Sequence, residues 1–238
     1  MRLQACLNGG RTRRDHPAVP LTPAALARDA RAVRAAGAES LHFHPRDGAG
    51  RESLAPADVA AALEAVRAAV PGMPAGISTG DWIAPGGAGR MGALRGWTVL
   101  PDFVSVNLHE PDAGDVIALM RARGVAVEAG LRDGAAARRF VGARFPRYSV
   151  RALVEPSADS PAEAGREALE VLAILRQAEV RLPVLLHGTG SSVWAMVAMA
   201  AERGLATRVG LEDGWELPGG AVAAGNAALV AAAVRMLA

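Results

Sequence analysis

The sequence predicts an α/β fold: one closed (β/α)8 TIM barrel, slightly trimmed, with residues 1–238 as a single domain. Two observations predict it. Short apolar runs alternate with longer Ala-, Arg- and Glu-rich segments of helical pattern, the signature of parallel strands joined by crossover helices. This alternation occurs eight times, roughly 30 residues per unit, which is the number that closes a parallel sheet on itself. An open doubly wound sheet is the other arrangement of such units.

The units follow in order. A strand over Leu3–Asn8 leads to a helix over Pro23–Ala36, opened by Thr22-Pro23 and stopped by Gly37. Ser40–His44 leads to Pro56–Val70, with Pro again at the first helical position. Ala75–Ser78 precedes a short helix near Gly89–Trp97. Phe103–Asn107 precedes Asp112–Arg123, and Gly124 ends that helix. Ala126–Glu128 is followed by Gly134–Ala143, and Ser149–Val154 by Pro161–Gln177 behind a Ser160 cap. Pro183–His187 is followed by Ser191–Arg203 and a stop at Gly204. Thr207–Leu211 precedes the Ala-rich Gly219–Leu237, read as an amphipathic terminal helix.

Composition removes several chemistries. All 26 basic residues are Arg, so neither a Schiff-base Lys nor the Lys of a nucleotide-binding P-loop is available. A net charge of +2 is too weak for a nucleic-acid-binding field. The only cysteine, Cys6, excludes an intramolecular disulfide and makes a reducing cytoplasm the expected location. The first ten residues hold too short an apolar run for a signal peptide, and no stretch is long enough to suggest a membrane span.

In this architecture the active site gathers at the C-terminal ends of the strands. The expected strand ends carry Asn8, His42 with His44, Ser78, Ser105 with Asn107, Glu128, Glu155, His187, and Arg208 with Glu212. Water-facing polarity explains some of these. It explains less well three His and three Glu on one rim. Strand side chains alternate, so His42 and His44 point the same way and can share a metal. By the same alternation Arg208, Gly210 and Glu212 face the barrel interior. Glu212 then completes a set of two His and one carboxylate, which leaves a coordination position open for chemistry. An internal Arg208–Glu212 pair without metal is the competing arrangement. Asp213 begins the next loop, free to act on substrate. Arg46 and Asp47 are expected to pair locally. Two Gly-rich segments, His187–Ser192 and Gly86–Arg90, offer phosphate sites or ordinary turns. Arg11, Arg13 and Arg14 could meet an anionic substrate or simply face solvent.

These residues resemble a known family. Asn8-Gly9, Asp15-His16-Pro17, Leu21-Thr22-Pro23, Gly37-Ala38 and His42-x-His44-x-Arg46-Asp47 look like the opening of the β-keto acid cleavage enzymes, such as the 3-keto-5-aminohexanoate cleavage enzyme. Ser78-Thr79-Gly80, Ser105-Val106-Asn107, Glu128, Arg208–Asp213, Leu217-Pro218 and Gly225-Asn226-Ala227 continue the match in order along the chain. The resemblance implies a zinc-dependent acyltransferase. It would convert a β-keto acid plus acetyl-CoA into acetoacetate and a new acyl-CoA. It implies one Zn2+ on His42, His44 and Glu212, and a substrate and proton-transfer set of Ser78, Ser105, Glu128, Arg208 and Asp213. Asp213 is the preferred base, with Glu128 second; Asn8, Asn107 and His187 are further expected substrate contacts. A homo-oligomer, such as a tetramer, is implied, with no membrane or nucleic-acid partner. Arg residues stand in the first loop where an acidic residue is expected for an amine-bearing substrate, so a neutral or anionic acid is the better match. The alternative is another metal-dependent C–C lyase or hydrolase on the same barrel that uses no CoA.

Overall fold

The structure is a computed structural model that describes residues 2–84, 87–158 and 160–238. Eight parallel strands close a barrel in chain order. They are β1 (Leu3–Cys6), β2 (Ser40–Phe43), β3 (Ala75–Ser78), β4 (Phe103–Asn107), β5 (Ala126–Leu131), β6 (Arg151–Val154), β7 (Val184–Leu186) and β8 (Ala206–Val209). The pairing of β8 with β1, in register Gln4↔Arg208, makes the closure and rules out an open sheet. The helices are α1 (Pro23–Ala35), α2 (Pro56–Ala69), α3 (Ala88–Gly96), α4 (Ala113–Ala122), α5 (Gly134–Gly142), α6 (Pro161–Gln177), α7 (Val193–Arg203) and α8 (Asn226–Leu237). No helix among the described residues is long and apolar enough to cross a membrane.

Helix boundaries follow local chemistry. Thr22 and Ser160 accept hydrogen bonds from backbone N–H groups three residues on, and Pro23, Pro56 and Pro161 fill first-turn positions that need no N–H. Gly37, Gly124 and Gly204 take φ of 109°, 73° and 64° at the stops, where a side chain would be strained.

The strands have two unlike faces. Leu41, Phe43, Ile77, Val104, Val106, Val127, Val154 and Val209 turn outward and meet the helices in one continuous apolar core. The alternate positions turn into the barrel, and many are polar: Gln4, Ser40, His42, Ser78, Ser105, Glu128, Arg151 and Arg208 are all buried. The apolar core is therefore a shell around the barrel, and the barrel interior is free for charge. Gly76 keeps that interior from overfilling, because a Cβ there would lie within 2.4 Å of the Phe103 ring.

Several boundaries differ from those the sequence suggests. Strand β1 stops at Cys6 rather than Asn8, and β8 at Val209 rather than Leu211. Strand β5 continues to Leu131, so Glu128 lies inside the strand rather than at its end. Helix α8 starts at Asn226 rather than Gly219, because Glu216 and Val222 form a short antiparallel bridge beforehand. Asn226 is then placed to stitch the closure. It accepts from Leu211 N–H (2.7 Å), and it donates to Leu7 C=O (2.8 Å) and to Asp29 on α1 (2.6 Å).

Asp29 is the strained partner in that stitch. Burial pushes its carboxyl up to about 6, although the Asn226 hydrogen bond opposes this. Between about pH 4 and pH 6 the unfolded carboxyl ionises while the native one keeps its proton, so the native state holds more protons and stability falls as pH rises. Wild type should lose stability across that window relative to Asp29→Asn, as denaturant midpoints at pH 4 and 6.5 will show. Parallel profiles would acquit Asp29.

Candidate active site

His42 on the inward face of β2 and His44 just past the strand's end bring their Nε2 atoms to 3.2 Å. Glu212 reaches them from the turn after β8, with Oε2 3.6 Å from His42 Nε2 and Oε1 3.7 Å from His44 Nε2. A tetrahedral centre with bonds of about 2.0–2.2 Å separates its donors by about 3.3–3.6 Å, so the three donors fit one metal. The Oε2 of Glu212 is buried without a hydrogen-bond partner, as a ligand oxygen awaiting a cation would be. Among the described residues no other group of His, Cys, Asp and Glu is arranged in this way.

The shifts favour the ligating forms of His42 and Glu212 and favour the proton on His44. Burial lowers His42 to about 3, with Arg208 and His44 adding to the effect against Glu212, so its imidazole is neutral and its lone pair is available. Burial also opposes charge on His44, but Glu212 and Glu52 outweigh it and its pKa is raised. Glu212 lies well below the usual carboxylate range. Burial disfavours its charge, and Arg208, His42 and His44 overcome that.

Arg208 is the hub of a second cluster. Its Nη2 donates to Glu212 Oε1 and to Asp213 Oδ1, both at 2.9 Å. The expected internal Arg–Glu pair and the metal donor set are thus both present, sharing Glu212. Asp213 is not a free loop residue: it is fully buried and also accepts from the Cys6 thiol at 2.8 Å. His187 has carboxylates on both sides, Glu155 at 3.4 Å and Asp213 at 3.6 Å, and hydrogen-bonds to neither. Burial, with Arg208, lowers His187 to about 4. A cavity of about 210 Å³ adjoins Asp213, lined by Arg11, Gly190, Ser191, Gly214, Trp215 and Glu216. The Arg11 guanidinium lies over the Trp215 ring at 5.1 Å. A larger cavity, about 480 Å³, is lined by residues that include Arg13, Arg46, Asp47 and Asp58, and by none of the metal donors.

The other expected residues divide. Ser105 Oγ lies 3.3 Å from His42 Nδ1, so it supports the His42 ring from behind. Ser78 Oγ accepts from Gly80 N–H at the rim. Asn107 donates to Glu110 at 2.8 Å and is half-buried beside the site. The Asn8 amide is spent on backbone: it donates to the Pro20 and His44 carbonyls and accepts from His44 N–H. Glu128 lies deeper than a strand-end residue, held by Arg151 (3.1 Å) and Gln4 (3.2 Å). The expected Arg46–Asp47 pair does not form. Asp47 pairs with Arg51 at 2.8 Å, and Arg46 donates to the Gly9 and Arg11 carbonyls. In the second Gly-rich segment Gly86 is outside the described residues, and Arg90 is buried against Glu110 and Asp112, unavailable to a phosphate. The first, Gly190–Ser192, is a 3-10 turn closed by a Thr189/Ser192 capping box.

Sequence reasoning missed Cys6 as an interior partner of Asp213, because the contact joins the first strand to the turn after the last and no local pattern links them. It also missed Glu52, which lies 2.5 Å from His44 Nδ1. The available signal was weak, a carboxylate eight residues beyond His44. Glu155 has room only because Gly130 lacks a side chain; a Cβ there would fall 2.2 Å from Glu155 Oε1. Burial raises Glu155 to about 7 despite Arg208. Carboxyl 13C spectra should therefore show one group titrating near pH 7, and Glu155→Gln should remove it. Persistence of that titration in the variant would reassign it.

The comparisons with known proteins agree with this architecture. The ternary complex of ObcA with a C4-CoA adduct and oxalate has 21% sequence identity and a TM-score of 0.74, covering 93% of this chain and 64% of its own. The binary complex of ObcA with oxaloacetate has 21% identity and a TM-score of 0.72, covering 92% and 63%. A mandelate racemase/muconate lactonizing enzyme from Roseiflexus sp. shares the fold at 16% identity and a TM-score of 0.56, covering 87% and 55%. The chain thus spans under two thirds of the length of these structures. The model of the beta-keto acid cleavage enzymes matches residues 1–238, and the chain belongs to that family.

Proposed function

We propose that the protein is a zinc-dependent acyltransferase that cleaves a β-keto acid with acetyl-CoA, giving acetoacetate and a new acyl-CoA. The observation that carries this reading is the His42–His44–Glu212 donor set beside the Arg208–Asp213 pair at one end of the barrel. Family membership supports the β-keto substrate. The fold shared with ObcA, seen with a C4-CoA adduct and with oxaloacetate, supports CoA and a small keto acid as partners.

His42, His44 and Glu212 would hold the metal. Bound there, zinc supplies Lewis acidity that polarises the keto carbonyl and steadies enolate charge. The chain's own residues do the rest. Asp213 takes the proton from the carbon between the two carbonyl groups. Arg208 stays charged, because Asp213 and Glu212 overcome the effect of its burial, and it offsets the negative charge that develops. Ser78, Ser105, Asn107 and His187 orient the substrate. Glu128 and Asn8 act from behind, through Arg151 and through the His44 backbone. In the net exchange the bond between the acyl carbon and the carboxymethyl carbon and the acetyl–sulfur bond of acetyl-CoA both break. The carboxymethyl carbon joins the acetyl group, the CoA sulfur takes the acyl group, and Asp213 returns its proton to the carboxymethyl carbon of the acetoacetate. Arg11, beside the cavity at Asp213, suits a neutral or anionic acid better than an amine-bearing one. A homotetramer in the cytoplasm belongs to the same reading, and the buried free thiol of Cys6 suits a reducing compartment.

Purified protein should carry about one zinc per chain, and His44→Ala should lose it, as metal analysis will read. Active metal-free protein would overturn the zinc assignment. Asp213→Asn should keep the metal and lose about 10²–10⁴-fold in turnover. A panel of β-keto acids should yield acetoacetate only with acetyl-CoA; product without CoA would instead indicate a lyase or hydrolase.

A further inference from the structure

We infer that Glu52 and Trp82 are positioning residues of the metal centre, Glu52 fixing the His44 imidazole and Trp82 fixing Glu52. The inference rests on the metal reading above. It starts from an asymmetry between the two imidazoles. His42 has its second nitrogen beside a neutral hydroxyl, Ser105 Oγ at 3.3 Å. His44 has its second nitrogen against a carboxylate, Glu52 Oε1 at 2.5 Å. An ionised carboxylate only accepts, so Nδ1 carries the hydrogen and the Nε2 lone pair faces Glu212 and His42. A carboxylate behind a metal-bound His fixes ring orientation and raises ligand basicity.

Glu52 is itself held. It lies in the loop between β2 and α2, where its backbone forms a short antiparallel bridge with Arg46. The Trp82 indole Nε1, from the loop after β3, lies 3.3 Å from both Glu52 oxygens. The indole also lies over His44, with ring centroids 6.4 Å apart and planes 29° from parallel. Trp82 is 51% exposed, so it is no core residue. Its polar contact is with the one carboxylate that orients a metal donor. Gly80 provides its seat, since a Cβ on Gly80 would lie 2.3–2.5 Å from the indole ring atoms. Two separate loops therefore converge behind one ligand.

The test measures metal binding rather than turnover. Zinc affinity is read by competition with a chromophoric chelator, with circular dichroism confirming that each variant is folded. Glu52→Gln should weaken zinc by about 10- to 100-fold, as loss of an outer-shell partner does. Trp82→Phe keeps an aromatic ring and loses the N–H, and should cost about two- to tenfold, the size of one ordinary hydrogen bond. Gly80→Ala should match it by unseating the indole. Zinc should also change the tryptophan emission of the wild type, and Trp82→Phe should abolish that change. If Glu52→Gln binds zinc as tightly as wild type while His44→Ala does not bind, the inference fails and the metal site stands. If Trp82→Phe retains full affinity and the emission change, Trp82 is not part of the arrangement. If wild type takes up no zinc, both readings fall together.

Discussion

The Arg208 guanidinium, buried inside the barrel and shared by Glu212 and Asp213, is the interaction on which the active end depends. A cation there costs heavily unless it is neutralised, and both neutralising groups come from outside the strand that carries it. The chain after β8 must therefore fold back over the barrel mouth. Gly210 permits this, because a Cβ at that point would lie 1.8 Å from the Cys6 carbonyl oxygen. The same turn delivers Glu212 to the two His residues and Asp213 to Cys6 and His187. One charge thus sets the turn, and the turn brings Glu212 to His42 and His44.

This arrangement is affordable because burial of apolar area happens elsewhere. The outward strand faces and the inward helix faces form the apolar shell, from Leu3 and Leu41 round to Val209 and Leu229. Burial of each Leu, Val or Ile there contributes about 1.5–3 kcal/mol. The interior can then hold Gln4, Glu128, Arg151 and Arg208 without serving as the main store of stability. Glu128 and Arg151 repeat the logic of Arg208 at a deeper level, a paired charge that would be costly to leave alone.

The fold was legible because its signals are local and repeated. Capped helices, Gly stops and short apolar runs recur through the chain, and the eight units follow from them. The His-x-His spacing was legible for the same reason, since alternation within one strand needs no tertiary information. Glu128 looked like a strand end because the Gly130 that follows it reads as a strand breaker; pairing with β4 and β6 carries the strand on to Leu131. Asn8 looked like a substrate contact because its type and position suit one, and only the tertiary neighbours reveal three backbone partners. Glu52 and Trp82 lie in irregular loops. No periodicity connects them to His44, and their proximity to it arises only when the strands assemble.

The Arg-only composition has a chemical consequence for handling the molecule. The surface offers amine-directed reagents no side-chain target, since the chain has no Lys. The one thiol, Cys6, is buried within the barrel and points at Asp213, closed to ordinary maleimides in the folded state. A single Lys or Cys introduced on an outer helix would therefore be a unique side-chain handle. Fluorophores, spin labels and surface tethers could be attached there without prior removal of native reactive groups.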